Sequence, residues 1–318
     1  MKRRKFVRNV SLSSMSIPFL FRNTEYKAIS NKLFNYSRAA EDRVLVIIRL
    51  NGGNDGLNTL IPLDQYDNLM IQRENIIQPL NSILPLSEKN GFHSSLVGMS
   101  NMFKEGNLSV VQNVGYPDQN RSHFRSMDIW SYGSEDPANR TGWLGRNLDQ
   151  QNPNFPSDYP NIDYPDPFAI SMGYEVSSTC QGIAGNFSHT VSDPFDGSNL
   201  GDFSSEDDGT YHGSHMDYLS TIIAQTNAYG DQVKNAANAG NSISQLYDPA
   251  NPLAQQLKSI AQMISGGLKT KIYIVNLDGF DTHAMQSDPQ NIPLGIHAGL
   301  LSTLSKAMEA FQDDIKLL

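Results

Sequence analysis

The chain has 318 residues, enough for one large α/β domain or two small ones with a substantial core. A formal net charge of -9 and a pI near 5.2 leave no basic stripe to neutralise phosphates, which argues against nucleic-acid binding and against general attraction to anionic membranes. The single cysteine, Cys180, rules out an intrachain disulfide and a cysteine-rich metal site, and it reads as a small buried residue.

The first 40 residues stand apart from the rest. Lys2-Arg3-Arg4-Lys5-Phe6-Val7-Arg8 is a basic n-region with an arginine pair, and Val10 to Phe21 is a short, serine-rich apolar run. Together they look like a twin-arginine export signal and linker, which implies the twin-arginine export machinery as a partner and a periplasmic or extracellular destination. No clear small-x-small cleavage site follows. No later stretch approaches the ~20 apolar residues of a membrane span, so no transmembrane segment is expected.

From residue 41 onward the chain is expected to form one domain. Val44-Leu45-Val46-Ile47-Ile48-Arg49-Leu50 is a continuous apolar, β-branched run, the pattern of a strand buried on both faces in a parallel sheet covered by helices. It ends abruptly in Asn51-Gly52-Gly53-Asn54-Asp55-Gly56. The glycines permit a sharp turn, and Asp55 is presented at the carboxyl end of the strand, where open α/β sheets hold ligands. Ordinary turn chemistry is the competing explanation. A nucleotide-binding loop is disfavoured because neither Gly-Lys-Ser/Thr nor GxGxxG is present.

His93 to Glu105 has the spacing of an amphipathic helix, and Leu108 to Val114 reads as a second strand, so strand, helix and strand suggest a parallel crossover unit. Asn120-Arg121-Ser122-His123-Phe124-Arg125-Ser126-Met127-Asp128-Ile129-Trp130 then reads as a helix with Ser122 at its N-cap. Free N–H groups and the positive dipole end there favour an anion or a forming alkoxide. Arg121 and Arg125 bracket Ser122, and guanidinium groups suit tetrahedral oxyanions. Ser122 is therefore a candidate nucleophile or a plain cap, and Arg125 an anion binder or a helix-surface partner of Asp128. Three roles are open to His123: metal ligand, substrate contact or satisfied polar residue.

A short helix is expected from Gly142-Trp143-Leu144-Gly145-Arg146, followed by polar stretches at about 150–166 and 192–213 of the kind that form rims or insertions. Between them Phe168 to Met172 reads as a strand. Asp207, Asp208, His212 and His215 match no standard metal spacing and read as a solvated loop. Met216 to Tyr229 is predicted helical. Leu253, Leu257, Ile260 and Ile264 mark an amphipathic helix ending at Gly266-Gly267. Ile272 to Leu277 is another buried strand, ending in Asp278-Gly279-Phe280-Asp281-Thr282-His283. A carboxylate and an imidazole two residues apart suit zinc or a similar divalent ion if the turn is irregular, and Asp281 with His283 is a candidate pair. Leu301, Leu304, Met308, Phe311 and Ile315 predict a helix over 294–318.

Taken together, the arginine leader, Leu50 to Thr59, Val110 to Pro117, Asn120 to Trp130, Thr141 to Gly145 and Gly279 to His283 resemble the DUF1501 family, which is placed in the alkaline phosphatase and sulfatase superfamily. The resemblance implies an alkaline phosphatase-like α/β fold, a mostly parallel sheet sandwiched by helices, with divalent metals at the carboxyl ends of the strands. It implies Asp55, Asp281 and His283 as metal ligands, with His123 added here as a candidate, and Ser122 at the position of the nucleophile. Arg121 or Arg125 would neutralise the transferred group of a small-molecule or polymer-borne phosphate or sulfate ester. The family's Ser-Glu-Phe-Gly-Arg and Asp-His-Gly segments do not occur before Leu318, so the chain is expected to be C-terminally incomplete. The alternative is an exported, non-catalytic binding or assembly protein that keeps the fold with an incomplete metal site.

Overall fold

The computed structural model describes residues 43–318 except 198, 199, 202, 206 and 207. The arginine leader and Asp207 lie outside the described residues.

A four-stranded sheet organises the molecule. Its strands are β1 (Leu45–Leu50), β5 (Ala169–Met172), β6 (Ser188–Val191) and β7 (Ile272–Leu277), in the order β1-β7-β5-β6 with every pair parallel. Between β1 and β5 lie α1 (Gly56–Thr59), β2 (Leu60–Pro62), α2 (Tyr66–Gln72), β3 (Leu84–Pro85), β4 (Asn90–Phe92), α3 (Val97–Lys104), α4 (His123–Tyr132) and α5 (Trp143–Gln151). Helices α6 (Tyr211–Ala239) and α7 (Pro252–Ser265) precede β7, and α8 (Ile296–Leu317) follows it. The fold is thus α/β, a parallel sheet flanked by helices. Among the described residues no helix is long and apolar enough to cross a membrane.

Successive side chains of a strand point to opposite faces, and here each face has its own core. Val46, Ile48, Ile170, Met172, Tyr273 and Val275 pack on one side against Leu257, Ile260 and Met263 of α7 and Leu304 and Ala307 of α8. Ile47, Ala169, Ile272 and Ile274 pack on the other against Leu144 and Leu148 of α5, Phe155, Phe187 and Cys180. The interleaving explains why β1 and β7 are apolar on both faces along most of their length, Arg49 and Asn276 excepted, and these two meet across the strands, Arg49 Nε donating to Asn276 Oδ1 at 3.0 Å. Cys180 is fully buried, and burial pushes its thiol up to about 12, as an inert packing residue requires.

The strand–helix–strand unit expected near the start does not form. Leu108 to Val114 has no ladder partner, and Val110, Val111 and Val114 stay exposed, so β-branched composition found no sheet to join. The parallel neighbour of β1 is β7, more than two hundred residues later. The intervening chain instead builds a small antiparallel sheet, β2-β4-β3, over Ile61, Leu69, Ile77 and Ile83. Helix α6 also starts earlier than the apolar spacing suggested, capped by Thr210 Oγ1, which accepts from the Gly213 N–H at 2.9 Å. Asp208 is spent on the Thr210 N–H and hydroxyl, and His215 Nδ1 contacts the Tyr211 carbonyl at 2.7 Å.

Candidate functional site

The carboxyl ends of β1 and β7 are tied together before either turn begins. The Asn51 N–H donates to the Leu277 carbonyl at 2.9 Å, the Phe280 N–H to the Asn51 carbonyl at 3.1 Å, and Asn51 Nδ2 to Asp278 Oδ1 at 2.6 Å. Gly52 (φ 106°) and Gly279 (φ 99°) take positive φ values that a side chain would resist. A Cβ on Gly52 would run into the backbone nitrogen of Asp281, and one on Gly53 into the His123 ring. The glycine pair is therefore a cradle, letting Asp281 and His123 sit against the turn.

Asp281 is the hub of what lies there. Its Oδ1 is 2.9 Å from His283 Nε2 and 3.3 Å from His123 Nε2. Phe280, fully buried beside it, anchors the turn in a core with Phe92, Leu96 and Leu301. Asp281 and His123 are 45% and 41% exposed and His283 is 80% exposed, so the cluster is open to solvent and solutes. His283 has φ 45°, a left-handed conformation uncommon for a residue with a Cβ; such strain concentrates at functional positions.

His123 is delivered by the first turn of α4. Ser122 caps that helix, its Oγ accepting from the Arg125 N–H at 3.4 Å, and its own N–H donates to Asn120 Oδ1 at 2.8 Å. The Tyr116 hydroxyl accepts from the Asn120 N–H at 2.9 Å and lies 2.9 Å from Ser126 Oγ, so the approach to the helix is held from both sides. Ser122 and Arg121 are exposed. Arg125 is committed elsewhere: its Nη2 donates to the Glu135 carbonyl at 2.6 Å.

Asp55 has a different environment. Both of its oxygens accept from the Arg73 guanidinium, with 3.0 Å to Nη1, and Oδ2 also accepts from Gln286 Nε2. Burial opposes its charged form, but the hydrogen bonds from Arg73 and Gln286 outweigh that and hold the carboxyl below its ordinary range. Beside it, Asn54 Oδ1 accepts from Thr59 Oγ1 at 3.1 Å and from His297 Nε2 at 2.9 Å. His297 packs edge-on to Phe280 and His93, with ring centroids 6.0 and 6.1 Å apart. Burial keeps both imidazoles neutral, lowering His93 to about 4.

The structure thus brings Asp281, His283 and His123 together beside Ser122, and it binds Asp55 to Arg73 and Gln286 instead. Arg73, Gln286, His297 and Asn54 carry no local signal in the sequence, because each owes its place here to partners distant along the chain or to the turn's own fold. The open cluster offers two imidazole nitrogens and a carboxylate, donor types that zinc and similar ions take. Among the described residues no group of three or more His, Cys, Asp or Glu side chains is placed so that it could hold a metal ion, and both imidazoles contact the same Asp281 oxygen.

Compared with protein-family models, curated proteins and solved structures, the chain matches none.

Proposed function

We propose that this chain is an exported, metal-dependent hydrolase of phosphate or sulfate esters with Ser122 as nucleophile and Asp281, His123 and His283 as metal ligands. The reading rests on one observation: a single carboxylate oxygen shared by two imidazoles, cradled by Gly52-Gly53, with a helix-capping serine in the residue next to one of them. A bound divalent ion would supply Lewis-acid polarisation of the ester and a lowered serine pKa.

The chain's own residues do the rest. Ser122 Oγ gives its proton to solvent and forms the bond to phosphorus or sulfur as the bond to the ester oxygen breaks, that oxygen leaving with the electron pair and taking a proton from water. A second water then breaks the Oγ–phosphorus or Oγ–sulfur bond, releasing inorganic phosphate or sulfate and returning a proton to Oγ. The unpaired N–H groups at the start of α4 face the developing charge. Arg121 is the guanidinium assigned to the transferred group, since Arg125 is held by the Glu135 carbonyl. Asp55 with Arg73 and Gln286 supports the turn from below.

A panel of aryl phosphates and aryl sulfates, assayed with added zinc, tests this reading. Turnover that Ser122→Ala abolishes supports it. The commitment of Asp55 to Arg73 favours a second reading, a non-catalytic binding protein with a reduced metal site, and metal uptake without turnover of any ester would select it.

A further inference from the structure

Strand β6 closes the sheet on the side away from β1. It pairs with β5 on one side, and among the described residues no strand lies on the other. The Gly173 N–H donates to the Val191 carbonyl at 2.8 Å, which turns the main-chain groups of Val191, and by alternation those of His189, toward β5. Those of Ser188 and Thr190 therefore point outward. The Ser188 N–H is taken by Asn186 Oδ1 at 2.9 Å, whereas the Ser188 carbonyl and both the N–H and the carbonyl of Thr190 have no partner among the described residues.

A cavity of about 340 Å³ runs along this edge, between β6 and α6. It touches every residue from Asn186 to Thr190. Successive side chains of a strand point to opposite faces, so a single cavity that meets all of them meets the strand along its free edge. Phe155, Phe187 and Ile222 give it apolar walls, and Val176, Tyr218 and Leu219 on its lining are 61, 46 and 45% exposed. No Asp, Glu, Lys or Arg side chain lines it. Natural sheet edges are ordinarily blocked by a charge, a proline or a covering element. This one has neither charge nor proline, and α6 faces it across the cavity.

We propose that the edge of β6 is a peptide-docking site, which takes one extended, uncharged segment of a partner protein as an added strand. The segment pairs with the main chain of Thr190 and sets a large apolar side chain between Phe155, Phe187 and Ile222. In this mode main-chain hydrogen bonds supply affinity and pockets for alternate side chains supply specificity. The uncharged lining selects an uncharged segment. A second copy of this chain is a poorer occupant: Ser188, His189 and Val191 are at most 9% exposed, so two such recessed edges cannot meet, and each copy carries a net charge of -9. The site is separate from the cluster at Asp281 and stands whether or not that cluster is catalytic.

The experiment follows amide hydrogen exchange by NMR in the full chain. The probe is acetyl-Thr-Val-Phe-Val-Thr-amide, and the control is the same peptide N-methylated at its three central residues, which keeps the side chains and removes the N–H groups that pair. Saturable binding of the probe, Thr190 amide exchange slowed about tenfold or more, and no binding of the control are expected. Leu219→Asp, a change at a half-exposed helix position, should weaken the probe about tenfold, and Ser122→Ala should leave it unchanged. The proposal is overturned if the probe does not saturate, if the methylated control binds equally well, if Thr190 exchange is unaffected at saturation, or if Leu219→Asp binds as the parent does. Thr190 protection that rises with protein concentration in the absence of peptide would overturn it in favour of a second copy.

Discussion

Asp55 and Asp281 leave the sheet in nearly the same way, each a few residues past the end of one of two paired parallel strands, each after a glycine turn. Their environments are opposite. Asp55 is 14% exposed and neutralised by Arg73, whereas Asp281 is 45% exposed and meets only imidazoles. One five-residue turn serves both: Gly52-Gly53 makes room for Asp281 and His123, and Asn54-Asp55 face the buried network of Arg73, Gln286 and His297. A carboxylate already paired with a guanidinium has little left to offer an ion. In the proposed reading the buried side supplies rigidity and the open side the chemistry.

Substitutions should separate the two sides, beginning with the largest effect. Ser122→Ala is expected to lower kcat for the best ester substrate by at least about a thousandfold, measured at saturating zinc, with folding stability nearly unchanged. On the buried side the effect is on stability: Asp55→Ala leaves Arg73 with an uncompensated charge and should cost about 3 kcal/mol in urea denaturation. Asp281→Asn breaks only half-exposed contacts and should cost less than about 1 kcal/mol.

Acid should reach the buried side first. His93 is held at about 4 against an ordinary 6.5, so the unfolded chain takes up its proton before the folded one does. Its contribution is complete above 6.5 and is lost as the pH falls toward 4, by about 3 kcal/mol at pH 4. Asp55 has the same sign in a lower window: its depressed pKa adds stability that is full above the ordinary carboxylate range and is lost as the pH falls through and below it. Denaturation curves from pH 7 to pH 4 should therefore show a steep loss that His93→Gln reduces. Gly53→Ala, whose Cβ meets the His123 ring, should weaken zinc binding by about twofold with little change in stability, the smallest effect expected.

How far the sequence reveals these differences depends on the range of the forces involved. β1 and β7 are legible because each sends side chains into two cores, which leaves apolar runs broken only by Arg49 and Asn276. The acidic residues after them are legible as strand-end turns, and Ser122 as a cap. Roles set by distant partners are not. Nothing near Asp55 in sequence announces Arg73, eighteen residues on, or Gln286, 231 residues on. Leu108 to Val114 has strand composition but no neighbour to pair with, while β6, with Ser188, His189 and Thr190, lacks an apolar pattern and is recruited through its ladder to β5. Strands of two or three residues, like those of the small antiparallel sheet, are too short for any periodicity to show.

On the proposed reading the open carboxylate of Asp281, not the buried one of Asp55, would bind the metal. Zinc titration by calorimetry on the full chain, on Asp281→Asn and on Asp55→Asn tests it most directly. Stoichiometric uptake by the parent chain, loss of that uptake in Asp281→Asn and its retention in folded Asp55→Asn are expected. Unchanged uptake in Asp281→Asn, or no uptake by the parent chain, would contradict it.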